Sequence, residues 1–203
     1  MSKKTLVRHL LIFSLFSIAT GEEPQFLSNV RQLTFEGRRA GEGYFGPNGN
    51  LMVLQSEREA DNPFYQIYLM DFETGDVERI SPGHGKTTCS WIHPNQKEVL
   101  FASTHGDPEA RRKQKEELEF RASGKERRYS WDYDEAFELY LYDRESKNYN
   151  QLTNATGYDA EGAISPDGNW VVFSSNRLAY SKPLSTADKK LFSVDKAFMM
   201  DIY

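Results

Sequence analysis

The sequence contains a single cysteine, Cys89, among 203 residues. An internal disulfide is therefore excluded, and folding outside the cytoplasm would not depend on disulfide cross-links. No cysteine directly follows the apolar run near the N-terminus, which argues against a lipoprotein anchor.

Catalytic and nucleotide-binding motifs are also lacking. There is no Gly-x-Ser-x-Gly nucleophile elbow and no supported Ser, His and Asp arrangement. Residues 83–88, Gly-His-Gly-Lys-Thr-Thr, imitate the end of a phosphate-binding loop, but Ile80 stands where the first glycine belongs and a strand pattern follows. We therefore predict no catalytic residue in this chain and no cofactor.

Histidine is scarce, with four in the chain. His84, His93 and His105 remain if the N-terminal segment is removed, and they do not complete a zinc-type ligand set. We predict no metal site. The alternative is that His84 and Lys86, with His105 in a neighbouring loop, bind an anion or a metal ion.

The composition favours a β-rich domain, and the charge gives no support for nucleic-acid binding. The net charge of -5 gives no basic surface for nucleic acid. The aromatic content of 13% and the mean hydropathy of -0.68 suit a water-exposed domain with a sizeable core.

The N-terminus has the pattern of a secretory signal peptide. Lys3, Lys4 and Arg8 precede an apolar run over residues 10–19, and Ala-Thr-Gly at 19–21 offers a small-x-small cleavage site. The run is short for a bilayer span. We predict a signal peptide at 1–21, a periplasmic or secreted product and at most a peripheral membrane association, with an uncleaved anchor as the alternative.

A Pro-Asx corner followed by an apolar strand occurs three times. The copies begin at Pro47-Asn48-Gly49, Pro94-Asn95-Gln96 and Pro166-Asp167-Gly168. Proline presets a type I turn, Asp or Asn bonds its own backbone, and glycine takes the left-handed position that follows. Each copy therefore predicts a hairpin corner, with Gln96 adopting a conformation that usually favours glycine.

The flanking segments repeat as well. Ile/Leu-Tyr strand patterns follow the corners at 66–71, 138–143 and 200–203, and Leu-Thr or Ile-Ser pairs stand at 33–34, 80–81 and 152–153. Four-stranded antiparallel units of about 40 to 50 residues are typical of β-propeller blades. We predict an all-β fold, a partial β-propeller over residues 22–203, with short helical insertions near 105–135 and 178–198.

The segment Ser-Pro-Asp-Gly, followed by Trp-Val-Val-Phe-Ser-Ser-Asn-Arg at 170–177, resembles the WD-like propeller repeat of the TolB family, periplasmic components of the Tol-Pal system. It is also similar to the propellers of prolyl-oligopeptidase-type hydrolases and of oligogalacturonate lyase, a metal enzyme. The resemblance covers roughly residues 27–203 and implies the fold. It implies the function only weakly, because one fold hosts many functions.

The chain departs from the TolB pattern in two places. TolB has an α/β domain before its propeller, whereas residues 26–34 already predict the fourth strand of a blade. TolB-like rings have six blades, whereas this chain offers about two and a half to three. We therefore expect a fragment in which residues 26–34 complete the last blade of a larger ring.

Loops at one end of the predicted blades form the candidate partner or ligand face. The first insertion predicts a charged helix, interpreted as a water-exposed lid, and then alternating aromatic and acidic residues. The rings could stack on a sugar or only cover the rim. The candidate residues are Arg38, Glu42, His84, Lys86, His105, Trp131, Asp132, Tyr133, Tyr158, Asp159, Glu161 and Arg177.

Two functions remain open. The favoured hypothesis is an exported, noncatalytic TolB-like propeller that binds a protein, a cell-envelope component or a glycan. The alternative is the propeller portion of a hydrolase or lyase whose catalytic part lies beyond residue 203.

Overall fold

The computed structural model describes residues 27–128 and 131–203, along which three antiparallel sheets follow one another. Blade 1 comprises β1 (Arg39–Phe45), β2 (Leu51–Glu57), β3 (Gln66–Asp71) and β4 (Val77–Arg79). Blade 2 comprises β5 (Thr87–Ile92), β6 (Glu98–Ser103), β7 (Glu138–Asp143) and β8 (Tyr149–Gln151). Blade 3 comprises β9 (Asp159–Ile164), β10 (Val171–Ser175) and β11 (Asp201–Ile202). Each strand pairs with the next, as the repeat predicts.

The chain divides into two units between Phe35 and Glu36. In the first unit, the described residues 27–35 contain no strand, so the strand predicted at 26–34 is not formed there. The prediction that residues 26–34 complete the last blade of a larger ring is not tested by this segment alone and stays a prediction. The predicted signal peptide lies outside the described residues.

All three corners close in the same way. The residue before each proline accepts a hydrogen bond from the residue three positions later, as in Gly49 N to Gly46 O at 3.0 Å and Gln96 N to His93 O at 2.8 Å. The left-handed residues have φ of 77° at Gly49, 59° at Gln96 and 76° at Gly168. The prediction for Gln96 is therefore confirmed.

Each inner strand carries the same β-bulge. Three steps along β1, from Gly41 to Tyr44, face two steps along β2, and β5 and β9 show the same shift against β6 and β10. An extra residue bends a strand and redirects its side chain. The redirected residues, all with positive φ, are Glu42, Cys89 and Glu161.

Two apolar cores lie between successive blades. Along β6, Val99 and Phe101 pack into the core shared with blade 1, whereas Leu100 and Ala102 pack into the core shared with blade 3. All four have no exposed surface, so both faces of β6 are buried in the two-residue period of a strand. Sheets stacked face to face in this way form a partial β-propeller.

A second repeated feature ties the second strand to the third. A serine at the end of each second strand accepts a hydrogen bond from the residue two positions later, in Ser56–Arg58, Ser103–His105 and Ser175–Arg177. That later residue covers a third-strand tyrosine, in Arg58–Tyr68 at 4.7 Å, His105–Tyr140 at 4.0 Å and Arg177–Tyr203 at 5.1 Å. The three blades share one cross-strand clamp.

Helices occupy the two long insertions, as predicted. The first insertion contains α1 (Ala110–Ala122), and the second contains α2 (Leu178–Ser181), α3 (Thr186–Val194) and a 3-10 turn at Lys196–Met199. Ser185 caps α3 by accepting a hydrogen bond from Asp188 N at 3.1 Å. Helix α1 is preceded by a turn in which the Asp107 side chain accepts from Glu109 N at 2.9 Å.

Candidate functional site

A cavity of about 730 Å³ opens where the loops before β1, β5 and β9 meet the first insertion. We call it the mouth cleft. Seven of the twelve predicted residues line it: Arg38, Glu42, Lys86, Trp131, Asp132, Tyr158 and Glu161. Sequence reasoning missed several other lining residues, among them Arg39, Gln55, Glu57, Tyr65, Cys89 and Arg121.

The bulge residues line the cleft from all three inner strands. Glu42, Cys89 and Glu161 have φ of 50°, 48° and 57°. A left-handed conformation costs a non-glycine residue roughly 1–2 kcal/mol, so three side chains are held in the cleft wall against local preference. Cys89 occupies the same place as the two glutamates, four residues before the first residue of the corner in its blade. That spacing is the sequence signal that could have predicted Cys89 as a cleft residue.

The Cys89 thiol is held neutral. Burial raises its pKa to about 12, and the nearby Glu42 carboxylate adds to the shift, against a hydrogen bond with Thr88 that lowers it. The thiolate is the reactive form of cysteine. Cys89 therefore contributes to the cleft as a neutral thiol.

Arginines converge on Glu57, a buried carboxylate in the cleft wall. Arg39 Nε lies 2.8 Å from one carboxylate oxygen, and Arg121 Nη1 lies 2.6 Å from the other. Arg38 approaches to 3.9 Å. Arg39 also lies over the Tyr65 ring at 4.3 Å. Because Arg121 belongs to α1, the cluster joins the insertion to blade 1.

Polar contacts fasten α1 to the blades. The Gln114 side chain donates to Asp61 O at 2.7 Å and accepts from Gly85 N at 3.1 Å. Lys113 Nζ contacts Asp134 at 2.8 Å. Both Gln114 and Asp134 are buried. The helix is exposed along its outer side, as the interpretation of a water-exposed helix expects, and its buried inner side, with Gln114 and Glu117, contacts the blades.

Lys86 contacts the same segment of the first insertion. Its Nζ donates to Tyr133 O at 3.2 Å and lies 3.4 Å from Asp134, with the Phe64 ring 5.4 Å away. Its side chain is 16% exposed. Lys86 thus reaches the cleft wall as a positioned cation.

An aromatic cluster forms the opposite wall. Trp131 meets Tyr158 and Tyr133 edge to face, with centroids 5.0 and 5.3 Å apart. Tyr133 also hydrogen-bonds Tyr180 of α2 at 2.7 Å. Burial raises the pKa of Tyr158 far above its usual range. Trp131 remains 37% exposed, and it presents a ring that the two tyrosines hold in place.

A second cavity of about 460 Å³ adjoins the cleft under α1. The two cavities share Phe64, Lys86, Arg127, Trp131 and Asp132 as lining residues. Tyr133, the eighth predicted residue that lines a cavity, belongs to this second space.

The remaining predicted residues lie elsewhere. His84 and His105 form an edge-to-face pair with centroids 6.1 Å apart, and neither lines the cleft. Burial lowers the pKa of His105 to about 4, and His84 adds to this shift. Within residues 27–128 and 131–203, no group of three or more metal-binding side chains is assembled.

Asp159 and Arg177 form an internal ion pair that does not reach the cleft. Asp159 is fully buried and accepts a hydrogen bond from Ser175. Arg177 and His105 both occupy the cross-strand clamp described above. The repeated Ser-x-Arg/His pattern therefore explains both residues as parts of the blade.

No family model matches the sequence. Among curated proteins, the chain is 25% identical over 152 residues to the uncharacterized peptidase YuxL of Bacillus subtilis. That match covers 68% of this chain and 22% of the peptidase, so the chain spans less than a quarter of this relative.

Two solved structures named TolB are also similar. TolB of Acinetobacter baumannii is 23% identical, with a TM-score of 0.49 over 70% of this chain and 28% of that chain. The putative TolB of Agrobacterium tumefaciens is 17% identical, with a TM-score of 0.48 over 70% of this chain and 40% of that one. No helix in the part of the chain that the structure describes has the length and apolar character of a membrane span. By its own sheets, corners and bulges, the chain is a partial β-propeller of four-stranded antiparallel blades.

Proposed function

We propose that this chain is an exported binding module in which the mouth cleft receives a protein or cell-envelope partner. The observation that best supports this proposal is the cleft, which has a volume of about 730 Å³. Hydrogen bonds and ion pairs within the chain hold the segments that form its walls. Clefts of this size, with some aromatic rings and a few placed polar groups, are typical binding sites.

The fixed position of α1 supports this proposal. Gln114 and Arg121 connect the helix to blade 1 through contacts within the chain, at 2.7 Å to Asp61 O and 2.6 Å to Glu57. A wall that is ordered in advance need not lose conformational freedom on binding, so more of the interaction energy appears as affinity.

The location and domain limits are part of the same proposal. We place a signal peptide at 1–21 and the propeller segment at 22–203, on the basis of the basic and apolar N-terminal pattern. The mass of the protein recovered from an expressing cell tests this: cleavage near Gly21 with release from the cytoplasm supports export, and a full-length cytoplasmic product opposes it.

Two tryptophans provide a matched test of the binding site. Trp131 lies in the cleft wall, whereas Trp170, 75% exposed, lies outside it. Peptides selected from a random displayed library on the purified protein should lose at least about tenfold in affinity on Trp131→Ala, because truncation of a central aromatic anchor typically costs 1–2 kcal/mol or more. Trp170→Ala should leave the affinity unchanged.

Either of two results would refute the binding-module proposal. One is a library selection that enriches no peptide for the cleft. The other is an equal loss of affinity in the Trp131 and Trp170 variants, which would place binding outside the cleft.

A second candidate function is the propeller portion of a peptidase, favoured by the sequence match to YuxL. In this case the cleft would receive a peptide on its way to a catalytic domain. The reading frame beyond the Tyr203 codon tests it. A downstream Gly-x-Ser-x-Gly elbow, with labelling of that serine by a fluorophosphonate probe, would support the peptidase, and an in-frame stop would exclude it.

A further inference from the structure

The mouth cleft has the opposite charge balance to the whole protein. The chain carries a net charge of -5. The cleft wall contains six basic residues, Arg38, Arg39, Lys86, Arg121, Arg127 and Arg128, against four acidic ones, Glu42, Glu57, Asp132 and Glu161. A basic cleft on an acidic protein concentrates the field on one site and attracts anionic groups there.

The four acidic residues of the cleft fall into two kinds, because in the part of the chain that the structure describes Glu57 and Asp132 are paired with arginines whereas Glu42 and Glu161 are not. Glu57 is already bonded to Arg39 and Arg121 at 2.8 and 2.6 Å. Within the described residues, Glu42 and Glu161 form no ion pair with a lysine or arginine. The cleft therefore has a basic part around the insertion and an acidic part at the bulges.

The strand geometry sets the distance between these parts. Arg39 begins β1, and Glu42 follows three residues later in the same strand. A strand advances about 3.3 Å per residue, so the acidic part lies roughly 7–10 Å along the strand from the basic part. A ligand that fills the cleft meets both signs of charge within a few residues' length.

The chemistry of the basic part favours carboxylates. Five of its six cations are arginines. Arg39, Arg121 and Arg127 already bond Glu57 or Glu117 at 2.6–2.8 Å, and Lys86 lies 3.4 Å from Asp134. Arg38, only 3.9 Å from Glu57, and Arg128, which forms no ion pair within the described residues, therefore remain for a ligand. A guanidinium group binds a carboxylate through two parallel hydrogen bonds. The Tyr65 ring below Arg39, at 4.3 Å, limits the orientations of that guanidinium. The partly exposed Trp131 ring offers an apolar contact beside these charges.

We propose that the mouth cleft binds an extended peptide segment of mixed charge. Aspartate or glutamate side chains of the segment contact the arginines, and a lysine or arginine two or three residues away contacts Glu42 and Glu161. This inference rests on the proposed binding function. A polyuronate or a nucleic acid fits less well, because its regularly repeated anions would place negative charge beside Glu42 and Glu161.

Four synthetic labelled peptides of equal length test the charge pattern. The first carries two glutamates followed three residues later by two lysines, the second only acidic residues, the third only basic residues, and the fourth neutral residues. Fluorescence anisotropy with the intact chain should show the tightest binding for the mixed peptide. Its affinity should fall as salt rises from about 50 to 300 mM, because salt screens exposed charges.

Cleft variants test the contacts. Arg38→Gln and Arg128→Gln should each weaken the mixed peptide by about threefold, the size of an exposed ion pair. Arg112→Gln is the matched control, since Arg112 lies on α1 outside the cleft lining and pairs with Glu109 and Glu116 of the same segment. The double change Glu42→Gln and Glu161→Gln should weaken the mixed peptide and strengthen the all-acidic one.

The outcomes separate this inference from the proposed function. Equal binding of the neutral and mixed peptides would refute the inference that the cleft binds a peptide of mixed charge. Stronger competition by a polyuronate such as alginate would refute it as well. Neither result would refute the proposal that the cleft is a binding site. If library-selected peptides bind the Trp131 side but none of the charged set does, the inference also fails. If neither set binds, the proposed function itself fails.

Discussion

The imidazole of His105 lies against the ring of Tyr140, tilted by 46°, with 4.0 Å between their centroids. In the next blade, Arg177 covers Tyr203 at 5.1 Å from the equivalent position. Each covering residue also bonds the serine two positions before it. His105 thus performs in blade 2 the packing that an arginine performs in blades 1 and 3, and its neutral ring allows a closer approach.

This packing predicts a pH dependence of stability. Burial and the nearby His84 lower the pKa of His105 from 6.5 to about 4 in the folded state. The neutral ring therefore stabilises the fold fully above about pH 6.5, and the contribution is lost as the pH falls toward 4. Because the ring is partly exposed, the loss should be only about 1–2 kcal/mol.

Urea denaturation from pH 7 to 4 measures this effect. His105→Gln should flatten the curve over that window, and His93→Gln, at the corner between β5 and β6, is the control histidine substitution. A curve that stays equally steep in the His105 variant would contradict the assignment.

Glu138 predicts the opposite pH dependence. It occupies in blade 2 the position of Gln66 in blade 1, and its Oε2 is buried without a hydrogen-bond partner among the residues that the structure describes. Burial, with Asp159 nearby, raises the pKa of this carboxyl to about 7. The neutral acid therefore stabilises the fold below about pH 4.5, and this contribution is lost as the pH rises through 7.

Glu138→Gln should increase the free energy of unfolding at pH 8 by about 1 kcal/mol, after allowance for partial exposure. It should change little at pH 4.5. Denaturation at the two pH values is the measurement, with the exposed Glu145→Gln as control. A variant that is less stable at pH 8 would show that the ionised carboxylate is needed.

The corner of blade 2, which has glutamine where the other two corners have glycine, predicts a stabilising substitution. Gln96 has φ of 59°, whereas the other two corners place glycine at this position. Gln96→Gly should stabilise the protein by a few tenths to about 1 kcal/mol by relieving the left-handed strain. The reciprocal change, Gly49→Ala, meets no atom within 4 Å and should cost a similar amount by strain alone. Thermal denaturation should therefore move in opposite directions for the two variants.

The buried side chain of Gln114 predicts how α1 is held. Gln114→Ala leaves Asp61 O and Gly85 N without their side-chain partner, at a cost of about 2 kcal/mol. Amide hydrogen exchange should accelerate at Gly85 and along α1. Lys115→Ala, with a side chain 77% exposed, is the matched control on the same helix. Unchanged exchange at Gly85 would mean that other contacts hold the helix.

The strands of the blades could be predicted because the sequence patterns that specify them are local. Pro-Asx corners and two-residue alternation are properties of neighbouring residues, so they predicted the strand order and the left-handed Gln96. Residues 27–35 form no strand among themselves, and the prediction that 26–34 complete the last blade of a larger ring stays a prediction.

The cleft depended on tertiary structure. Glu57 and Arg121 lie 64 positions apart and meet only because α1 folds back on blade 1. Cys89 enters the cleft beside Glu42 and Glu161 because three separate bulges align, although its residue type gives no hint of this. His105 and Arg177 were assigned to the site on chemistry alone, and the contacts with Tyr140 and Tyr203 place them in the blades instead.

The sequence by itself determined the repeating unit of this protein, since turn chemistry and strand period are properties of neighbouring residues. The tertiary structure decided which charges face one another, because ion pairs and cavity walls join side chains from different blades. That division explains why the partial β-propeller was predictable, whereas the mixed charge of its mouth cleft became visible only when the blades were stacked.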